Sequence, residues 1–354
     1  MRTALIGLPQ SGKTTLGGAV SGTMPDAAGP PQVRHTVVKV PDDRVHVLAK
    51  MYNPKKVTEA TIEYIDVPGF SLADHRGQED LRRFLPDIRQ ADLLVAVIRT
   101  FVSDSVPAYR DRVDPAADFE ELREELIYAD LESVSNRIEK LEKALRKPTK
   151  THDQEKRELE LLTECRETLE DSKPLSAVPG GEERQRMVTG FGLLSAKPLV
   201  VVYNVSEQDA AAPDPHPPEM TAGAINLCAL TELEITQLDP NERGAFLEDL
   251  GVQKPARERL IGKCYQALGL ISFLTVGREE VRATTVKKGS DALEAAGRIH
   301  SDMARGFIRA ETVAFSDLME AGDMKAAKAS AKVRQEGKHY IVQDGDVINF
   351  KFNV

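Results

Sequence analysis

The chain has 354 residues, of which 41% are hydrophobic, and a formal net charge of −9. This length fits two or three domains with a sizeable core, and no run of 18 apolar residues is present, so we expect no membrane partner. The net negative charge argues against a protein coated with nucleic acid, so we expect no DNA partner, although it leaves room for a local basic face.

Three scattered cysteines, an odd number, show no spacing typical of a metal site or a disulfide framework. We therefore predict a reduced, cytoplasmic protein. The N-terminal apolar stretch is too short for a signal peptide and is followed at once by a glycine-containing loop.

The first predicted strand, Arg2–Ile6, leads into Gly7–Thr14, which fits the phosphate-binding pattern G-x-x-x-x-G-K-[ST], and Thr15–Val20 can open a helix. A chance glycine turn is the alternative, and the strand before and the helix after argue against it. Backbone N–H groups of such a loop surround a polyphosphate, Lys13 reaches the β- and γ-phosphates, and the Thr14 hydroxyl holds Mg²⁺. The predicted phosphate contacts are Pro9, Gln10, Ser11, Gly12, Lys13, Thr14 and Thr15.

Two more strands are predicted at Thr36–Val40 and Ala60–Ile65, and Asp66–Gly69 then fits D-x-x-G. On its own this pattern is weak, because turns are rich in it. After a P-loop and a strand it predicts that Asp66 belongs to the Mg²⁺ shell and that the Gly69 N–H meets the γ-phosphate.

Phe70 follows this motif, at the position where Ras-like enzymes carry a glutamine that orients the attacking water. Phenylalanine has neither donor nor acceptor, so either another group positions water or hydrolysis is very slow. His75 and Gln78 are predicted to lie in the next loop, where His75, with Lys13, is the catalytic candidate. A lone histidine in a loop is more often simply solvated.

A buried strand at Leu93–Ile98 precedes a charged region from Phe119 to Leu169 with apolar residues at heptad spacing. Lys147–Lys150 interrupts the pattern, which predicts an antiparallel helical hairpin inserted into the nucleotide-binding domain. An ordinary pair of surface helices is the alternative. The hairpin tip is basic and is either a solvated face or a nucleic-acid contact; its cations are Lys140, Lys143, Arg146, Lys147 and Lys150.

Strands are also predicted at Pro198–Tyr203 and Gly223–Cys228. Asn204–Glu207 follows the first of them, where the base-reading motif N-K-x-D is expected, but Val205 replaces the lysine and Glu207 the aspartate. These changes predict a relaxed or altered base preference. Cys228 and Ala229 match the last base-contacting loop. The strand spacing predicts an α/β fold with a doubly wound parallel sheet.

The chain becomes β-rich from about Val276, with strands predicted at Val281–Val286, Phe307–Phe315, His339–Val342 and Val347–Phe352. We expect a nucleotide-binding domain at 1–117 and 186–275, a helical arm at 118–185 and a separate C-terminal domain at 276–354.

These motifs resemble the Obg-like ATPases of the YchF subfamily. The resemblance also includes Arg112–Pro115, Glu125–Glu132, Gly306–Glu311 and Tyr340–Ile348. It implies a P-loop NTPase fold with a helical arm and a β-grasp-like TGS domain. It further implies slow, Mg²⁺-dependent hydrolysis of ATP in preference to GTP, a catalytic histidine at the place of His75, and association with the ribosome or its RNA.

Two regions depart from that family. Gly29–Thr36 stands where the first switch usually carries its Mg²⁺-binding threonine, and Gln78–Leu81 stands where glycines are usual. Our first hypothesis is a slow ATPase that acts as a conformational switch, its state read by the arm and the TGS domain. The alternatives are a nucleotide-sensing binding protein with negligible hydrolysis and a GTPase with relaxed base choice.

Overall fold

The computed structural model describes residues 1–24, 32–71, 75–146, 151–175, 182–219, 221–239, 241–249 and 254–353. In chain order, strands β1 to β12 are Arg2–Ile6, Arg34–Lys39, Lys56–Thr58, Thr61–Asp66, Leu93–Arg99, Leu199–Asn204, Gly223–Leu227, Leu270–Val276, Glu280–Lys287, Phe307–Ala314, Arg334–Glu336 and Asp346–Phe352. Helices α1 to α13 are Lys13–Ser21, Asp43–Tyr52, His75–Arg89, Pro115–Ala144, His152–Glu170, Glu182–Gly190, Ala229–Gln237, Arg243–Asp249, Ala256–Ala267, Ala292–Ile299, Ser301–Arg305, Phe315–Ala321 and Met324–Ala329. Across these described ranges, no helix combines the length and the apolar character needed to cross a membrane.

The first of two compact units comprises Met1–Val37 and Glu63–Ala267. Its sheet has the strand order β2-β4-β1-β5-β6-β7. The neighbouring pairs β4-β1, β1-β5, β5-β6 and β6-β7 are parallel. Every residue of β5 is buried, as expected for a central strand covered on both faces. The predicted α/β fold with a parallel sheet is confirmed. The carboxyl ends of β1, β4, β5, β6 and β7 meet at one edge, where α/β proteins bind ligands.

Helix α3 begins at His75, so the predicted loop through His75 and Gln78 was wrong. The helix packs on the hydrophobic core through Leu81, Phe84 and Ile88, which follow a helical spacing and are all buried. Gln78 therefore lies in the helix rather than in a loop.

Helices α4 and α5 form the predicted antiparallel hairpin. Arg137 of α4 pairs with Glu158 of α5 at 2.5 Å, and Arg123, further back on α4, reaches the carbonyl of Ser172 beyond the end of α5. The apolar residues of the heptad pattern form the buried seam: Ile127, Val134, Ile138, Leu141, Leu162, Cys165 and Leu169. The predicted break at Lys147–Lys150 lies outside the described residues.

The base of the hairpin is fixed by Asp130, which is fully buried. Its carboxylate accepts hydrogen bonds from the backbone N–H groups of Leu194 and Ser195, at 2.9 and 2.7 Å, and from the Ser195 hydroxyl at 2.8 Å. Arg89, the last residue of α3, lies 3.5 Å from Asp130 and donates to the carbonyl of Ala129. Helix α3 is thereby tied to the arm.

The second unit comprises Val38–Ile62 and Leu268–Val354, and its sheet has the order β11-β10-β12-β8-β9-β3. Strand β3 has only three residues, too few for a sequence signal, and it pairs in parallel with β9. We expected residues 38–62 to lie in the nucleotide-binding domain and the C-terminal domain to start at 276, so the structure groups these segments differently. A separate domain for the arm stays a prediction.

The predicted strand at His339–Val342 was wrong, because within it only Ile341 forms an isolated bridge, with Asp291. The backbone of this segment bonds elsewhere: the Tyr340 carbonyl accepts from Ala292 N–H, at the start of α10, and the Val342 N–H donates to Ser290. The segment therefore satisfies the first turn of a helix, and β11, which the sequence analysis missed, pairs with β10 instead.

Candidate nucleotide-binding site

The loop between β1 and α1 has the backbone conformations that its glycines allow. Gly12 caps α1 in the left-handed region, with φ of 92°, and a Cβ there would lie 2.1 Å from the Asn204 side-chain nitrogen. A Cβ on Gly7 would lie 2.5 Å from the carbonyl oxygen of Val97. Only glycine fits at either position, so the glycines of the motif are needed to bring this loop against β5 and β6.

Lys13 is buried, with 4% of its surface exposed, and its Nζ donates to the carbonyl of Leu8 at 2.7 Å. Burial lowers the pKa of Lys13 to about 8, and the charge of Asp66 opposes this shift. Burial likewise raises the pKa of Asp66, and the charge of Lys13 opposes that shift. A buried ammonium on a glycine-containing loop before a helix N-terminus is a suitable partner for a triphosphate.

The Asp66 carboxylate also fits a magnesium ion. Its Oδ1 is buried, and among the described residues it has no hydrogen-bond partner. An orphaned carboxylate oxygen at a strand end is suited to a cation or its bound water. The described residues contain no group of three or more His, Cys, Asp or Glu side chains that could hold a metal, and Mg²⁺ typically takes only one or two protein ligands beside phosphates and water.

Gly69 lies beside the lysine, since a Cβ at this position would be 3.1 Å from Lys13 Nζ and 3.0 Å from Pro9 Cα. The structure therefore brings the D-x-x-G glycine onto the P-loop, as its predicted contact with the γ-phosphate requires. The next residue, Phe70, is 1% exposed and packs in the hydrophobic core. It is a core residue, and it is not among the residues that line the cavity described below.

Asn204, at the end of β6, is 4% exposed and has both ends of its amide engaged. Nδ2 donates to the carbonyl of Ser11, and Oδ1 accepts from the backbone N–H of Ala229, each at 2.9 Å. The residue predicted to read the base therefore also joins the P-loop to the start of α7.

A cavity of about 550 Å³ extends along this edge of the sheet. This volume lies within the usual range for small-molecule sites. Most of the predicted binding residues line it together: Gln10, Gly12, Lys13, Thr14, Thr15, Gly69, Asn204, Val205, Glu207, Cys228 and Ala229.

Three predicted site residues whose side chains are described do not line this cavity. Pro9 and Ser11 lie on the P-loop and border a small separate space behind it, and Asp66 lies at the end of β4. His75 is the first residue of α3, and its side chain lies outside the described part of the structure. Of the first departing region, residues 32–36 are described, and Thr36 lies within β2. The second, Gln78–Leu81, lies within α3.

Comparison with known proteins gives the family. A family model described as "YchF-GTPase_C: Protein of unknown function (DUF933)" matches residues 270–353. The chain is 41% identical over 369 residues to the "Ribosome-binding ATPase YchF" of Bacillus subtilis, with all of both chains covered. The chain belongs to the YchF family. It is also 34% identical to the YchF of Escherichia coli O157:H7, over 100% of this chain and 99% of that one.

A solved YchF structure, that of the Schizosaccharomyces pombe "YchF GTPase", superposes with a TM-score of 0.83 at 26% identity and covers 99% of this chain and 97% of that one. The fold is therefore that of YchF along the whole chain. The two sets of relatives carry different names, since the bacterial proteins are called ATPases and the yeast protein a GTPase.

Sequence reasoning missed the loop that follows β5. Its residues Phe101, Val102, Ser103, Ser105 and Val106 line the cavity, as do Leu230, Thr231 and Glu234 of α7. Val102 and Leu230 are 83% and 59% exposed. The signal that could have found this loop is its place after a fully buried central strand, where α/β proteins bind ligands.

Proposed function

We propose that this protein is an ATPase that binds the ribosome, and that the cavity at the carboxyl edge of the parallel sheet holds ATP with Mg²⁺. The observation that carries the proposal is the single cavity that the P-loop, Gly69 and the Asn204–Glu207 segment share. Family membership supports it, because bacterial relatives aligned over the whole chain are named ribosome-binding ATPases.

The triphosphate binds on the loop of residues 9 to 15. Lys13 turns from the Leu8 carbonyl to the β- and γ-phosphates, and Gly69 N–H meets the γ-phosphate. Thr14 and Asp66 hold the Mg²⁺ shell, and the ion supplies positive charge against the phosphate oxygens. A side chain at position 69 would press on Lys13, which is why the motif ends in glycine.

ATP is preferred over GTP. The N-K-x-D carboxylate reads guanine N1–H and its 2-amino group, but here Glu207 is exposed and opens a short 3₁₀ helix. The extra methylene of Glu207 moves its carboxylate from the place of the aspartate, and Val205 supplies no lysine stem to cover the base. The yeast relative's designation as a GTPase keeps relaxed base choice as the second candidate.

Hydrolysis is slow because the position of the water-orienting glutamine is taken by a core phenylalanine, Phe70. His75, the first residue of α3, is the candidate for the role of the missing glutamine, and it follows Phe70 by five residues in the sequence. Without a contribution from His75 the protein would bind nucleotide with negligible hydrolysis.

The nucleotide state reaches the arm through α3. This helix follows the D-x-x-G motif and ends at Arg89, whose guanidinium donates to the Ser133 hydroxyl at 2.8 Å and lies beside Asp130. A contact of the γ-phosphate with Gly69 would thus act on the arm through this helix. The arm tip, with exposed Lys140, Lys143 and Arg146, and the C-terminal TGS domain offer the contact with the ribosome or its RNA in the cytoplasm.

The test combines phosphate release and ribosome binding. We expect single-turnover phosphate release from ATP over minutes to hours, and co-sedimentation with ribosomes that depends on whether ATP or ADP is bound. Competition of ATP and GTP for a fluorescent nucleotide decides base choice. If bound ATP stays intact over many hours, the protein is not an ATPase. If GTP binds more tightly than ATP, the preference for ATP is rejected. If the protein co-sediments with ribosomes in neither nucleotide state, the proposed ribosome binding is rejected.

A further inference from the structure

Arg99 ends the central strand β5 and is 4% exposed. Its guanidinium donates three hydrogen bonds, all to backbone carbonyls of the loop that follows: to Phe101 at 3.0 Å, to Val106 at 2.8 Å and to Pro107 at 3.0 Å. The guanidinium carbon also lies 4.3 Å from the centroid of the Phe101 ring. One side chain therefore closes both ends of the same short loop.

The charge of Arg99 is poorly compensated. Within the described ranges, no carboxylate lies within 4 Å of its guanidinium, and Asp118 acts on it only through longer-range attraction. Burial lowers the pKa of Arg99, and Asp118 opposes that shift. A buried cation without a paired carboxylate is costly.

This clamped loop, residues 101–107, forms part of the cavity wall. Its sequence is Phe-Val-Ser-Asp-Ser-Val-Pro, which contains an acidic residue and no cation. Residues 101–107 thus offer phosphates no cationic side chain, whereas the P-loop holds the buried ammonium of Lys13, so we assign the triphosphate to the P-loop. The loop instead presents Val102 and hydroxyl groups to the part of the nucleotide beyond the phosphates, which is the nucleoside.

We propose that Arg99 is a positioning residue for the nucleoside end of the bound nucleotide, which it sets by holding the clamped loop closed. The inference rests on the proposed function, because it assumes that the triphosphate occupies the P-loop. Arg99 touches no reacting atom. Its planar fork reaches three carbonyls at once, and a lysine, whose donors share one atom, cannot do so.

The experiment separates the two ends of the ligand by titrating ATP and inorganic tripolyphosphate, each with Mg²⁺, into the full-length protein and its variants. In Arg99→Met we expect ATP affinity to fall about 10- to 100-fold, since the loop must be ordered on binding, and tripolyphosphate affinity to stay within about twofold. In steady state KM for ATP rises while kcat stays within about threefold. Arg99→Lys should lie between wild type and Arg99→Met.

Arg110→Met is the matched control. Arg110 also lies near an aromatic ring, that of Tyr109 at 5.3 Å, but it is paired with Glu121 and does not line the cavity. We expect its ATP affinity to equal that of wild type. If Arg99→Met does not fold, Arg99→Lys, which keeps the charge and the stem, carries the test.

Three outcomes would contradict the account, and they are distinguishable. ATP binding by the Arg99 variants at wild-type affinity would overturn the role of Arg99. Equal losses of ATP and tripolyphosphate binding would also overturn it, by showing a merely structural effect. Failure of the wild-type protein to bind either ligand would instead reject the proposed function itself.

Discussion

Removal of the Asn204 side chain tests how the site is assembled. Asn204 is the only described side chain that bonds both to the P-loop and to the start of α7, through Ser11 and Ala229. In Asn204→Ala both backbone groups lose their partner. Ser11 and Ala229 are themselves buried, at 3% and 1% exposure, so water replaces the amide poorly.

The size of the effect follows from these two bonds. A buried polar group left without its partner costs about 1–3 kcal/mol, so with two such groups the free energy of unfolding of the variant should fall by about 2–6 kcal/mol. The Ser11 carbonyl belongs to the loop that surrounds the phosphates, and misplacement of that loop should weaken ATP binding by at least about 30-fold, which corresponds to 2 kcal/mol.

Urea unfolding of the free protein gives the first quantity, and calorimetric titration with ATP and Mg²⁺ gives the second. Asn226→Ala is the control, because Asn226 lies in the neighbouring strand β7 and its side-chain amide donates to the carbonyl of Pro213 in an exposed hydrogen bond. It should lose less than about 1 kcal/mol and bind ATP normally. A loss below about 1 kcal/mol in Asn204→Ala would refute the assignment of both bonds, and normal ATP affinity would refute the link to the P-loop.

Three further substitutions test other parts of the account. Phe70→Gln places the expected glutamine at a buried position, so the free energy of unfolding measured in urea should fall by about 3 kcal/mol. Phosphate release should be no faster than in the wild type, and faster release would show that position 70 faces the substrate. Asp130→Ala should lower the free energy of unfolding by about 3–5 kcal/mol, whereas Asp153→Ala, at an exposed position, should lower it by less than about 1 kcal/mol. Similar losses in the two variants would exclude a structural role for Asp130 at the base of the arm. Glu311→Gln should lose up to about 1 kcal/mol at pH 7. The hydrogen bond from Lys328 lowers the pKa of Glu311, so this contribution is present above the unfolded pKa and is lost as the pH falls through the folded pKa. A stability difference between variant and wild type that does not shrink as the pH is lowered would contradict it.

The sequence predicted those parts of the site that are encoded by adjacent residues. Gly7–Thr14 dictates its own backbone, because its glycines allow conformations that other residues resist, and Asp66–Gly69 is placed by the parallel strand before it. The heptad pattern likewise predicted the arm, since its seam is a local periodicity.

The remaining features depend on contacts between distant segments. The clamped loop owes its shape to a side chain, Arg99, whose bonds to carbonyls leave no pattern in the sequence. Strand β3 owes its existence to β9, more than 200 residues away, and His339–Val342 has β-forming residues but serves the first turn of α10. In each case tertiary partners outweighed local propensity.

The claim on which the account depends is that the loop of Gly7–Thr14 binds the triphosphate of a purine nucleotide through Lys13. Calorimetric titration of ATP with Mg²⁺ into the wild-type protein and Lys13→Ala tests it directly. We predict saturable binding at one site in the wild type and binding at least about 100-fold weaker in the variant. Equal affinities, or no heat from either ATP or GTP with the wild-type protein, would contradict it.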